Sequence, residues 1–193
     1  MPLYPNTEQG TVSQYSSQWT TKVLEATTPH IKSNVFGTEA APIYGTESDL
    51  VPLRIPLAGY QRVIARYYMF YESNNINEIQ FRLSNEGSGL LYGTAYNTDI
   101  NFAIMGVVDM QTGQAASASV EGAVAAGGST SGASDIIKID AGSDDSPLLA
   151  ILHATCVSKT SVNNFIRLSP RILTGSADGT RILTGSYVEY KYY

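Results

Sequence analysis

The sequence predicts an all-β protein, an antiparallel β-sandwich of the jelly-roll kind with an extended N-terminal arm. Three observations predict it. Apolar residues recur with a period of two in short segments; Gly, Asn, Asp or Ser bounds each segment; and no stretch holds a 3.6-residue apolar period. A parallel sheet would need crossover helices, and the pattern offers none, so about eight turn-punctuated strands argue for two antiparallel sheets packed face to face.

The clearest strand is "GYQRVIARYYMFYES", Gly59 to Ser73. Val63, Ala65, Tyr67, Met69 and Tyr71 line one face, and Arg62, Ile64, Arg66, Tyr68 and Phe70 line the other. Both faces are partly apolar, which predicts a central strand covered on both sides. "NNIN" then turns the chain into "EIQFRLS", where Ile79, Phe81 and Leu83 face the core and Gln80, Arg82 and Ser84 face water. "GLLYGTAY", the buried run "INFAIMGVVD", the lighter "ASASVEGAV" and "DIIKIDA", with Ile137 and Ile139 on one side, continue the series. "PLLAILHATCVS" has a composition that also suits a helix; Val and Thr towards its end favour a buried strand. "NNFIRLSPRI" follows, and "SYVEYKYY" closes the chain as a strand paired into the sheet, with Val188, Tyr190 and Tyr192 on one face.

Two segments fall outside this pattern. Residues 1–45 contain Pro2, Pro5, Pro29 and Pro42 and the single Trp19, with little alternation, and read as the arm; the sandwich domain is expected over 46–193. Trp19 in a polar stretch calls for a protein surface, either a partner's or its own domain's. "AAGGSTSGAS", Ala125 to Ser134, is too poor in large side chains to order itself and reads as a flexible hairpin loop without a function of its own.

Composition bounds the function. The 193 residues suffice for one domain with a real core, 43% of them hydrophobic and 15% charged, so the surface relies on Ser, Thr, Asn and Gly. The formal charge of -5 and the scattered Lys and Arg argue against a nucleic-acid partner. A single Cys156 cannot form an intramolecular disulfide, and the N-terminus lacks the basic and apolar regions of a secretory signal. No apolar run reaches membrane-spanning length, so no membrane partner is expected, and folding in a reducing cytoplasm is expected.

Chemistry-bearing groups are sparse. His153 and Cys156 are three apart on a strand, which puts them on opposite faces, and both read as core residues. His30 has no metal-ligand neighbour. Asp140, Asp144 and Asp145 share one loop, but their spacing is not that of a calcium loop and they read as a solvated turn. The glycines of "SNEGSGLLYG" precede a strand and not a helix, so no phosphate cradle forms. No catalytic residue, metal ligand or cofactor site is predicted, and the chain reads as a non-enzyme.

From "DLVPLRIPLAGYQRVIARYYMFYES", Asp49 to Ser73, the sequence resembles a recurrent virion protein of tailed bacteriophages, the trimeric jelly-roll capsid decoration or cement protein. An acidic-hydrophobic opening (Asp49, Leu50), a small-residue turn (Leu57 to Gly59) and a long aromatic strand (Tyr67 to Ser73) follow the family's order. "EIQFRLS", a Gly-rich turn, "INFAIMGVVDM", a Ser/Thr/Gly loop and "LLAILHATCVSKTSVNNFIRLSPRI" extend the likeness over about residues 45–193. The resemblance implies a homotrimer, made in the host cytoplasm, on the outer surface of a phage head, bound to the major capsid protein partly through the N-terminal arm. The family also occurs on head fibres and tail parts. A carbohydrate- or receptor-binding module of a tail or head fibre is the alternative, motivated by 13 tyrosines whose rings can stack on sugars.

The sequence departs from the family by inserting "LTGSADGTRILTGS", Leu173 to Ser186, before the last strand, within "RILTGSADGTRILTGS", Arg171 to Ser186, where six residues recur ten apart. Two copies are too few for a solenoid. Asp178-Gly179 is a two-residue hairpin signal that would set Ala177 against Thr180, Ser176 against Arg181 and Thr174 against Leu183. The segment is therefore expected to be an added β-ribbon near 171–186 that touches a neighbouring subunit. Tyr4, Tyr15 and Trp19 of the arm and Ile172, Leu173, Ile182 and Leu183 of the ribbon are the candidate capsid and subunit contacts.

Overall fold

The computed structural model describes residues 18–28, 50–72, 79–87, 98–110, 120–121, 134–139, 147–159, 164–172 and 180–193. They form eleven strands: β1 (Thr20–Val23), β2 (Ile55–Leu57), β3 (Arg62–Glu72), β4 (Ile79–Gly87), β5 (Thr98–Asp109), β6 (Val120–Glu121), β7 (Ser134–Ile139), β8 (Leu148–Ser158), β9 (Asn164–Ile172), β10 (Arg181–Ile182) and β11 (Tyr187–Tyr192). Among the described residues a 3-10 turn, Val51–Leu53, precedes β2. Sheet A runs β1-β11-β3-β8-β5, with β10 also on β3, and sheet B runs β2-β9-β4-β7-β6; every pairing is antiparallel.

This order is a jelly roll. Outer strands pair first with last, β1 with β11, then β2 with β9, β3 with β8 and β4 with β7, as in one long hairpin. Rolling that hairpin sends alternate rungs to opposite sheets, and β11–β3 and β9–β4 close the two layers. β5 and β6 are additions at the hairpin's tip, between β4 and β7, and β10 is an addition between β9 and β11.

The alternation read from the sequence sets the core. Val63, Ala65, Tyr67, Met69 and Tyr71 of β3 are buried, as are Leu148, Ala150, Leu152, Ala154 and Cys156 of β8, and they face Ile79, Phe81 and Leu83 of β4 and Ile166 and Leu168 of β9. Tyr71 meets Phe81 edge to face across the two sheets, ring centroids 6.3 Å apart. Each such large apolar side chain contributes about 1.5–3 kcal/mol on burial. "PLLAILHATCVS" is strand from Leu148 to Ser158, its burial alternating residue by residue.

Three expectations change. First, residues 18–28 of the expected arm lie on the domain itself: β1 continues sheet A beside β11, and Leu24 and Thr28 are buried. Second, the Arg-Ile pairs that open the two copies of the repeat join different sheets. Arg171 and Ile172 end β9 in sheet B opposite Gln80 and Ile79, whereas Arg181 and Ile182 pair with Glu72 and Tyr71 in sheet A. The Asp178-Gly179 signal lies outside the described residues, and each flanking Arg-Ile pair finds a longer strand to join than its twin. Third, His153 is half-buried on the outer face of sheet A and is not a core residue; its separation of three from the buried Cys156 does place the two on opposite faces. Tyr4, Tyr15, His30, Leu173, Asp140, Asp144, Asp145 and the "GLLYGTAY" segment lie outside the described residues.

Candidate interaction surface

The outer face of sheet A is built in cross-strand rows, because antiparallel register sets alternate residues of neighbouring strands side by side. One row runs Val23, Tyr187, Tyr68, Ile151, Gly106. The row beside it holds Phe70, Leu149 and Val108. On the other side lie Thr21, Glu189, Arg66, His153 and Ala103, then Lys191, Ile64, Thr155 and Asn101. The first two rows are apolar apart from tyrosine hydroxyls. An antiparallel sheet that meets only water alternates apolar inward with polar outward, and sheet A does not.

Tyr68 and Tyr187 stack with centroids 4.5 Å apart and planes within 10°. Beside them, Trp19 lies under two cations, the Arg66 guanidinium 4.9 Å and the Lys191 ammonium 5.2 Å from its ring centroid. Cation–π contacts of this kind contribute about 0.5–1 kcal/mol at exposed sites. The ring stays 37% exposed, so Trp19 is held by its own sheet and still offers surface. His153, directly opposite Arg66, is held below the ordinary histidine range by partial burial and by that guanidinium.

The edges of sheet A are apolar too. Between Ile104 and Gly106 the β5 ladder skips a residue, a β-bulge that leaves Met105 without a partner on β8 and 62% exposed. Met110 follows on the same edge, and Trp19 and Val23 occupy the opposite one. Tyr60 projects from the turn between β2 and β3 with a positive φ of 59°, fixed by Gln61, whose N–H donates to Ala58 O and whose side-chain oxygen accepts from Ala58 N.

Of the residues predicted to make contacts, Trp19 lies on the surface and Leu183 is half-buried. Ile182 is fully buried in the core and is no surface contact; Ile172 ends β9 in sheet B, away from Trp19's sheet. Val23, Tyr68, Met105, Ile151 and Tyr187 were not singled out from the sequence. Their signal was the apolar second face of β3 and of "PLLAILHATCVS", which reads as burial until the register aligns it with neighbouring strands.

Other chemistry is buried. The Cys156 thiol is inaccessible, and the adjacent Tyr67 hydroxyl is pushed well above the ordinary tyrosine range by burial first and Cys156 second. Among the described residues no three His, Cys, Asp or Glu side chains cluster as metal ligands, and no helix is long and apolar enough to cross a membrane. Comparison with protein-family models, curated proteins and solved structures finds no match to this chain.

Proposed function

We propose that the protein is a virion structural protein, a capsid decoration protein that binds the major capsid protein on the outer surface of a phage head as a homotrimer. It carries out no catalysis in this reading and needs no cofactor. The observation that carries the reading is the two-faced sheet A: one face closes the jelly-roll core, and the other sets two apolar rows beside a mixed-charge strip. Such a surface suits protein and not solvent. The sequence resemblance over residues 45–193 supplies the kind of assembly.

The mechanism is additive. In this reading the N-terminal arm attaches to a neighbouring surface, and a trimer multiplies each weak attachment because the second and third engage at high effective concentration. Many weak contacts distribute the load of an internally pressurised shell.

The glycan-binding alternative draws on the same tyrosines. Tyr67, Tyr71 and Tyr190 are in the core, and Tyr68 and Tyr187 each spend one ring face on the other, which leaves less aromatic surface for sugar than the count suggests. Copy number decides between the two. Mass spectrometry and imaging of purified particles of the encoding phage are expected to find on the order of hundreds of copies on the head, as a surface lattice of trimers requires. A handful of copies confined to the tail would overturn the decoration reading.

A further inference from the structure

Of the six large hydrophobic side chains exposed among the described residues, three are aromatic, and all three stand at one corner of sheet A. Trp19 immediately precedes β1, Tyr193 immediately follows β11, and Tyr60 comes two residues before β3. Antiparallel pairing brings those strand ends together: Thr20 lies opposite Tyr190, Tyr192 opposite Val63, and Tyr193 N–H donates to Arg62 O at 3.2 Å. With neighbouring strands about 5 Å apart and same-face residues about 7 Å apart along a strand, the three positions lie a few lattice steps from one another.

Tyr60 is the informative one. Glycine adopts its φ of 59° freely and a bulky residue does not, and with the side chain 69% exposed, burial does not offset the strain. The turn itself has no need of a tyrosine. Its two hydrogen bonds link Ala58 and Gln61, and Gln61 O in turn accepts from Ser158 N–H at 2.9 Å. A strained backbone held by a rigid frame, with an exposed ring at its apex, points to a side chain kept for what it contacts.

The face beside these rings is polar and mixed in charge. On the outer register of sheet A, Arg62, Arg66 and Thr21 are exposed and Lys191, Glu189 and Thr155 are half-buried. Cationic donors suit a carboxylate; the Glu189 carboxylate and the threonine hydroxyls suit hydroxyl groups; exposed aromatic rings suit the apolar faces of sugar rings. A dense polyanion is disfavoured by Glu189 in the middle of the strip and by the net charge of -5, and a neutral sugar chain leaves the cations unused. Carboxylates spaced among neutral, hydroxylated rings match all three kinds of group.

From these observations we propose that this corner of sheet A binds an acidic oligosaccharide, its sugar rings against Tyr60, Tyr193 and Trp19 and a carboxylate beside Arg62 and Lys191. These rings are separate from the stacked Tyr68–Tyr187 pair. The site goes beyond the decoration reading and does not rest on it: copy number on particles tests that reading, and binding in solution tests this one.

The test is titration calorimetry of the isolated full-length chain. The acidic probes are hyaluronan and polysialic acid oligosaccharides; a chitin oligosaccharide of equal length, oligoglutamate and oligothymidylate are the comparisons. At least one acidic oligosaccharide is expected to bind, and each comparison to bind about tenfold more weakly or not at all. Tyr60→Gly is expected to weaken binding about tenfold while the thermal midpoint holds or rises, because glycine relieves the strain. Arg62→Gln, at an exposed position, is expected to weaken binding with an unchanged melt, and Met105→Ala, on the far edge of the sheet, to leave binding as it is. If Tyr60→Gly lowers the midpoint, Arg62→Gln keeps the test decisive. No binding of either acidic probe, equal binding of the chitin oligosaccharide, oligoglutamate or oligothymidylate, or wild-type affinity in Arg62→Gln or in a stably folded Tyr60→Gly would each overturn the proposal.

Discussion

Ser186 stands in for a piece of strand. β10 ends at Ile182 and β11 begins at Tyr187, while β3 runs unbroken past both, so Phe70 faces a gap in the ladder. Leu183 N–H fills half of it by donating to Phe70 O at 2.8 Å. The buried Ser186 Oγ fills the rest, accepting from Phe70 N–H at 3.0 Å and reaching the carbonyls of Leu183 at 2.9 Å and Phe70 at 3.1 Å. Gly185, at φ 86°, makes the bend that brings it there, in the left-handed region glycine enters without a Cβ penalty. Ser186→Ala leaves the part-buried Phe70 N–H without its acceptor and is expected to cost about 1–3 kcal/mol. The urea midpoint should fall at unchanged m-value, whereas the exposed Thr184→Ala should move it far less. Equal shifts for the two would mean that the hydroxyl does not bridge the gap.

The same turn fastens the N-terminal element. Gly185 N–H donates to Leu24 O at 2.9 Å, Leu24 N–H to Ser186 O at 2.7 Å, and Thr28 N–H to Ile182 O at 2.8 Å, while Ile182 N–H donates back to Thr28 Oγ1 at 3.0 Å. Arg181 adds an ion pair with Glu72. Residues 18–28 thus complete sheet A and plug its end with Leu24. A chain that begins at Pro29 is expected to be less stable than one that begins at Gln18 by about 3 kcal/mol or more, from Leu24's burial and the lost hydrogen bonds. It should also aggregate more readily, because β11 becomes a bare edge. Matched thermal melts check this; coincident melts would mean the segment contributes nothing. This element marks the limit of what the sequence discloses. β3, β4, β8 and β11 were readable because a period of two over six or more residues leaves one face apolar whatever the neighbours are. β1 and β10 were not, since "TTKV" and "RI" carry too few residues for a period, and only their long-range partners make them strands. The Arg-Ile pairs of the repeat are a similar case: two residues carry no period, and their long-range partners on β4 and β3 decide which sheet each joins. Pro170 is a related case. Proline argues against a central strand, yet β2 pairs β9 only as far as Ile166, so at Pro170 β9 is an edge on that side.

At the scale of the whole molecule, the charge pattern of sheet A couples stability to pH. His153 sits between Arg66 on β3 and Ala103 on β5, with Glu189 one strand beyond Arg66. Partial burial and the facing guanidinium both disfavour its proton, so the folded protein binds that proton less readily than the unfolded chain does. The sign follows. Above the unfolded value near 6.5 both states hold a neutral imidazole and the full stability is present; as pH falls, the unfolded chain takes up the proton first and stability declines until the folded value is passed. Carboxylates contribute their own acid dependence, but they are common to the wild-type chain and to His153→Gln, so the difference between the two isolates the histidine. Between pH 7 and pH 5 the wild-type chain is expected to lose more stability than His153→Gln, measured as urea midpoints across that range. Parallel stability curves for the two proteins would show that His153 is solvated as freely in the folded state as in the unfolded one, and would remove Arg66 as its electrostatic neighbour.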